Sequence, residues 1–329
     1  MLRPYLETID KNKRILEIGP LTTPMIAKNG INNVFYADIR SKDELKEFYK
    51  NETVVDKEKI VDIDFIIKEE SYSKSLLDVE KFDYVVMSHV IEHIPQLILF
   101  FQDIVKILNP DGKLCLTIPD KRYCFDHYRN PTSFSECYDI YKNHISNNPI
   151  AVLDHVCSST KNDDVFWWNN PDNFEELRLR GTEYVNDAIH LYEKARAGEY
   201  MDVHYNVFTP ESFLLLLYYM TSFSLFPFQV SDFWGTEINT LEFNVVLQAS
   251  HNVILSGTQI STMQDNIINI LRKNTNYLSG SMIAQFALEK KMLQNTIDSL
   301  LSSRSFRITK PLRDIFKLLQ SIKAKFIKE

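Results

Sequence analysis

Five short apolar runs limit what this chain can fold into. They are residues 13–19 (KRILEIG), 33–39 (NVFYADI), 59–67 (KIVDIDFII), 82–88 (FDYVVMS) and 112–119 (GKLCLTIP). Each is bounded by charge, glycine or proline and is short for a buried helix, so each reads as a buried strand. Helical patterns separate several of them. The clearest is PQLILFFQDIVKIL (95–108), whose Pro95 suits a first helical position. Strands alternating with helices specify a parallel sheet covered on both faces.

After Pro119 this rhythm stops. Residues 120–206 are rich in aromatics, Asn, Asp and His and show few clean periods. A helix resumes at 209–220 (TPESFLLLLYYM), with Thr209 as N-cap, Pro210 next and Glu211 in the first turn. Two further runs, FQVSDFWGT (228–236) and LEFNVVLQA (241–249), stand close enough in sequence to form an antiparallel hairpin that closes the sheet. The expected fold class is α/β. A seven-stranded, doubly wound sheet occupies 1–250, with a long insertion at 120–206 before strand six.

Residues 251–329 differ and read as a helical tail. Ile283, Phe286, Leu293, Ile297 and Leu300 follow coiled-coil spacing, broken by Lys290. Residues 304–329 carry eight basic side chains against two acidic ones, a net +6, beside one apolar stripe from Leu312 to Phe326. That pattern fits a helix lying on an anionic membrane surface. It fits a partner-binding helix equally well.

Charge and cysteine usage exclude some classes. A net charge of -7 argues against a general nucleic-acid binder. The four cysteines, at 115, 124, 137 and 157, form no CxxC pair and read as reduced thiols of a cytosolic protein. The first residues have no signal-peptide core, and the greasiest stretch, 213–228, is interrupted by Thr221, Ser222, Ser224 and Pro227. It reads as a buried helix leading into a strand rather than a membrane span.

The stretch SHVIEHIP (88–95) contains His-x-x-Glu-His, an order that some zinc peptidases place on a helix. Pro95 disfavours helix in the residue before it, so His89 and His93 belong to a strand-to-helix crossover and no metal site is expected. The location is informative, because open α/β sheets bind ligands beyond the carboxyl ends of their strands. Other strand ends carry matching residues: Glu17 and Gly19 on the first, Asp38 on the second, Asp62 and Asp64 on the third. An acid closing the second strand suits two ribose hydroxyls, and Gly19 permits close backbone approach to a ligand.

Taken in order, ILEIGP, YADI, FDYVVMSHVIEHIP and ILNPDGKLCLTIPDK resemble the successive motifs of S-adenosylmethionine-dependent methyltransferases with the seven-stranded Rossmann-like fold. The resemblance spans about 13–250. The first motif has one glycine where many members have three, and Asp111 replaces the first glycine of a Pro-Gly-Gly turn. IPDKRYCFDHYRNPT, VLDHV and DVHYNVFTPESF are similar to a bacterial subgroup tied to cell-surface polysaccharide synthesis. SSRSFRITKPLRDI resembles a terminal segment of bacterial glycosyltransferases and their partner enzymes, with Phe306 in place of the more frequent tryptophan.

The resemblance implies S-adenosyl-L-methionine as cofactor. It places Glu17 near the methionine moiety, Gly19 and Pro20 in the loop beneath it, and Asp38 on the ribose. Ile39 and Arg40 flank the adenine, Asp62 or Asp64 contacts its amino group, and Ser88 and His89 face the cofactor from the substrate side. Substrate contacts are expected in the insertion, from Asp120, Arg122, Arg129, Trp167 and Trp168. A sugar hydroxyl needs a base, whereas a phosphate acceptor needs arginine more. His155 and His204 rank first as bases because Asp154 and Asp202 stand within two residues of them. His127 and His93 follow.

The resulting expectation is an enzyme that methylates a hydroxyl or terminal phosphate of a bacterial surface glycan or its lipid-linked precursor. It would work in the cytoplasm, with peripheral contact at the inner membrane face and a glycosyltransferase partner through the tail, and without nucleic acid. The alternatives are methylation of an unrelated small metabolite and a non-catalytic scaffold that recruits glycosyltransferases.

Overall fold

The apolar runs form a seven-stranded sheet: β1 (Ile15–Ile18), β2 (Val34–Asp38), β3 (Phe65–Ile66), β4 (Phe82–Ser88), β5 (Leu108–Pro119), β6 (Phe228–Trp234) and β7 (Glu242–Ala249). A computed structural model describes residues 3–30, 33–68, 71–160, 164–170, 184–250 and 256–274. Strand order is β3-β2-β1-β4-β5-β7-β6. The pairs β1 to β2, β1 to β4, β2 to β3 and β4 to β5 are parallel. β7 runs antiparallel to both β5 and β6. The α/β sheet and its closing hairpin are therefore as expected. All four residues of β1 are buried, as are all but Gln248 of β7. A strand covered on both faces needs an unbroken apolar run, which explains why these segments show no alternation.

Three local expectations change. The third run does not extend over 59–67, because only Phe65 and Ile66 pair as strand. Ahead of them, the Asp64 carboxylate accepts the Tyr36 amide at 2.6 Å, so a side chain takes a ladder position of β2. Pro95 is not a first helical residue either. Ile91–His93 form a single 3-10 turn, Gln96 is the cap, and the helix runs Leu97–Ile104. The helix predicted over 95–108 ends early, and Val105–Ile107 tighten into a 3-10 turn before β5.

The described part of the insertion contains the helices Phe134–Lys142, Pro149–Ser158, Asp164–Asn169 and Tyr184–Arg196, joined by irregular chain. Both of its ends are fastened at the carboxyl edge of β5. The Asp120 amide donates to the Leu241 carbonyl at 2.7 Å, and the Lys121 amide donates to the Phe208 carbonyl at 2.8 Å. The helix Pro210–Ser222 follows, with Thr209 capping it by accepting the Ser212 amide. The stretch 213–228 is thus a buried helix leading into β6.

The first compact unit continues past residue 250 to Asn274. Helix Gly257–Asn274 buries Met263, Ile267 and Leu271 in the main apolar core. The proposed coiled coil at 283–300 and the basic stripe at 304–329 lie outside the described residues. Among the described residues, no helix is long and apolar enough to cross a membrane.

Each of those three buried side chains is worth about 1.5–3 kcal/mol of burial. A chain ending at Ser256 should therefore melt well below one ending at Asn274 in thermal denaturation. Equal midpoints would show that the helix is not part of this core.

Candidate functional site

The sheet reverses direction of growth between β1 and β4, and in open α/β sheets ligands bind in the crevice beyond the carboxyl ends of the strands at such a point. Gly19 leaves β1 there with φ of +69°, and a Cβ on it would stand 2.7 Å from Val90 Cγ2. Both conditions favour glycine. Glu17, 2% exposed, accepts the amides of Met25 at 2.6 Å and Ile26 at 3.0 Å. It shapes the loop around Pro20 from inside rather than projecting into the crevice. Burial raises its pKa to about 7, against the opposing pull of those two amides.

Asp38 closes β2 and accepts the Arg40 amide at 3.1 Å, and burial raises its pKa. Arg40 lies over the Phe48 ring at 4.0 Å, and Ile39 is 46% exposed. Asp62 points outward, its side chain 88% exposed and paired with Lys42. Asp64 is held by Lys28 and the Tyr36 amide. The structure thus gives Asp64 a fold-building role and leaves Asp62 on the surface.

β4 ends at Ser88, and His89 follows in the left-handed region with φ of 53°. A non-glycine residue seldom adopts that conformation, so something must hold it. His89 Nε2 lies 2.9 Å from Glu242 Oε2, and Arg3 grips the same carboxylate at 2.9 and 3.0 Å. Burial would raise the Glu242 pKa, but His89 and Arg3 outweigh it and hold it at about 2.

The next turn carries Glu92 and His93 beneath the insertion. Glu92 is fully buried, and its two carboxylate oxygens accept no hydrogen bond from any described group. Its Oε1 lies 3.7 Å from His89 Nδ1 and 3.8 Å from His204 Nε2. The His93 and His204 rings meet edge to face, centroids 4.8 Å apart.

Sequence spacing misassigned the carboxylates that orient these histidines. Asp202 lies 3.1 Å from His93 Nδ1 rather than against His204. Asp126 takes that place, 2.6 Å from His204 Nδ1 across 78 residues of sequence. Burial would raise the Asp126 pKa, yet His204 and Arg129 bring it to about 2. Asp154 does not orient His155 but pairs with Arg129 Nε at 2.8 Å. His155 has its pKa lowered to about 4, first by burial and then by Arg129, so it is a weak base near neutral pH.

Other residues expected at the substrate are committed to the fold. Arg129 is 3% exposed and donates to Asp126, Asp154 and the His204 carbonyl. Asp120 is fully buried and grips Arg122 at 2.6 Å while accepting the Thr236 hydroxyl. Trp167 is fully buried and stacks on His127 at 3.7 Å, so it offers no face to a sugar. His127 Nδ1 lies 2.6 Å from the Arg122 carbonyl oxygen and serves as a packed structural ring. Trp168 is half-buried, stacked on Tyr123 at 3.9 Å, with its Nε1 donating to the Thr240 carbonyl. Arg129, Asp120 and Trp167 are thus buried, and the first two are already ion-paired within the protein.

Sequence reasoning missed Glu92, Asp126 and Asp202 as parts of one cluster. The nearness of Glu92 to His89 and His93 was the available signal. Nothing in the sequence tied that turn to His204.

A family profile described as a methyltransferase domain matches residues 2–217. No curated protein matches the chain. Among solved structures, the CurJ carbon methyltransferase is 14% identical, over 76% of this chain and 50% of that one, with a TM-score of 0.35. This chain therefore spans half the length of that protein. An S-adenosylmethionine-dependent methyltransferase from Methanosarcina mazei is 14% identical over 76% of this chain and 98% of its own, TM-score 0.34. The trans-methyltransferase CalH, solved with S-adenosylhomocysteine, is 14% identical over 73% and 52%, TM-score 0.33.

The raised pKa of Glu17 has a measurable consequence. A carboxyl whose folded pKa exceeds its unfolded value, about 4.5, favours folding most below that value. The contribution is lost as pH rises through about 7. A shift of this size corresponds to on the order of 3–4 kcal/mol. The thermal midpoint should fall over that pH window, and Glu17→Gln should flatten the slope. An unchanged slope in that variant would place the titration elsewhere.

Proposed function

Since the chain belongs to the methyltransferase domain family, we propose that it moves the methyl group of S-adenosylmethionine onto a sugar hydroxyl of a surface glycan or its lipid-linked precursor. The observation that carries an oxygen acceptor is the pairing of His204 with Asp126 at 2.6 Å, beside Glu92 of the turn that follows β4. A carboxylate on Nδ1 holds the proton there and leaves Nε2 basic. Such a pair answers the need of a hydroxyl, a poor nucleophile that must lose a proton as it reacts.

In the reaction, the acceptor oxygen forms the new C–O bond as the C–S bond breaks. The electron pair stays on sulfur, giving S-adenosylhomocysteine, and the hydroxyl proton passes to the histidine cluster. Alignment of oxygen, methyl and sulfur supplies on the order of 7–11 kcal/mol. A phosphate acceptor draws less support, because Arg122 is engaged by Asp120 and Arg129 is buried among its own partners. The glycan rests on the likeness of the insertion segments to polysaccharide-synthesis enzymes. Ser88, His89 and Asp38 line the crevice for the cofactor in this reading.

His204→Gln should lower kcat by about 10²–10⁴-fold while leaving affinity for S-adenosylhomocysteine within a few fold. Asp38→Ala should do the reverse and abolish that binding in calorimetry. Mass spectrometry of glycans from a strain lacking the gene should find a methyl group missing. Unaltered glycans would overturn the acceptor class.

The lipid-linked precursor gives the basic tail a use at the membrane, where each lysine or arginine near an anionic surface contributes about 1 kcal/mol. The full chain should float with anionic vesicles at low salt, and a chain ending at Ser303 should not. Equal behaviour of the two would assign 304–329 to a protein partner such as a glycosyltransferase.

A further inference from the structure

We propose that Glu92, His93 and His204 form a binding site for a divalent transition-metal cation beneath the insertion. One ligand atom from each of the three lies within 4.8 Å of the others. The Glu92–His204 approach, 3.8 Å, is too long for a hydrogen bond and close enough for two atoms to share one ion. Metal–ligand lengths of about 2.0–2.2 Å set donors about 3–3.5 Å apart, so a small contraction completes the site.

Two further observations point the same way. Glu92 is a fully buried carboxylate whose oxygens have no hydrogen-bond donor among the described residues. A buried carboxylate in that state is costly unless a positive partner meets it. Each histidine also has an outer carboxylate at Nδ1, Asp126 for His204 at 2.6 Å and Asp202 for His93 at 3.1 Å. At His204 that hydrogen bond fixes the tautomer and leaves Nε2 for a metal, as outer carboxylates do in zinc proteins. Two imidazoles and one carboxylate suit zinc, cobalt, manganese or ferrous iron, with coordination positions left over. The His93 side chain is 28% exposed, which provides the route in.

The site stands on its own geometry. Its consequence rests on the acceptor reading above: an acceptor hydroxyl occupying an open position would be acidified as metal-bound water is. With His204 Nε2 on the cation, acidification of the hydroxyl would take the place of proton transfer to that nitrogen.

The test uses the full chain, stripped with chelator and dialysed against zinc chloride, with cobalt chloride as a spectroscopic probe. One zinc per chain and visible cobalt bands are expected. Glu92→Gln and His204→Asn should remove both. Asp202→Asn, which changes no ligand, should weaken binding about 10–100-fold. Circular dichroism verifies the fold of each variant. If the ligand variants do not fold, the Asp202→Asn affinity and the wild-type thermal midpoint decide, and the midpoint should rise with zinc. Absence of stoichiometric zinc, cobalt or manganese, or equal affinity in the folded variants, would overturn the site. A chain that binds one zinc yet leaves glycans unmethylated overturns only the acceptor class. A chain that methylates glycans without binding a cation overturns only the metal site.

Discussion

The guanidinium of Arg129 holds the insertion and the histidine cluster in one arrangement. It lies almost wholly out of water and donates to Asp126, Asp154 and the His204 carbonyl. A buried charge that lost these partners would be strongly destabilising, so the segments that supply them are held together. Asp126 belongs to the loop after β5, Asp154 to the helix Pro149–Ser158, and His204 to the end of the insertion. Through Asp126 the same cation acts on the chemistry, because that carboxylate also fixes the His204 ring. Arg129 thus acts on the cluster through its partners.

The rigid part of the molecule explains why the cluster sits where it does. β4 delivers Ser88 to the crevice, and the left-handed His89 turns the chain so that Glu92 and His93 face the insertion. Glu242, on β7 across β5 and paired with Arg3, holds His89 in that conformation. The Asn206 amide donates to the Glu92 carbonyl at 3.0 Å, and its side chain donates to the Ile94 carbonyl at 2.7 Å. The turn and the returning insertion are thus joined by backbone contacts as well as by charge. A site held from both sides loses little entropy when it engages a ligand.

Most of the fold could be read from the chain, and its failures have physical causes. Strands buried on both faces announce themselves as apolar runs, which is why β1, β2, β4 and β7 fall within the segments expected, while β5 begins at Leu108, ahead of its run. β3 fails because Asp64 replaces a backbone partner with its side chain, a substitution that no hydrophobic pattern records. The early end of the helix after β4 is equally local, since the chain must tighten through Val105–Ile107 to enter β5. The helix Gly257–Asn274 was assigned to the tail by composition, although three apolar residues a turn apart bury themselves in the core.

The sequence by itself determined the sheet, the strand ends that face the crevice and the glycine that turns beneath it. Each depends on neighbours along the chain, through hydrophobic period and backbone sterics. Only the tertiary structure decided which carboxylate serves which histidine. Asp154 and Asp202 stand within two residues of His155 and His204 in sequence, yet one binds Arg129 and the other faces His93. Adjacent side chains on a helix or a loop point in different directions, whereas buried charges select the partner that best replaces water. The pairing of Asp126 with His204, and the place of Glu92 between histidines, follow from that selection across distant segments.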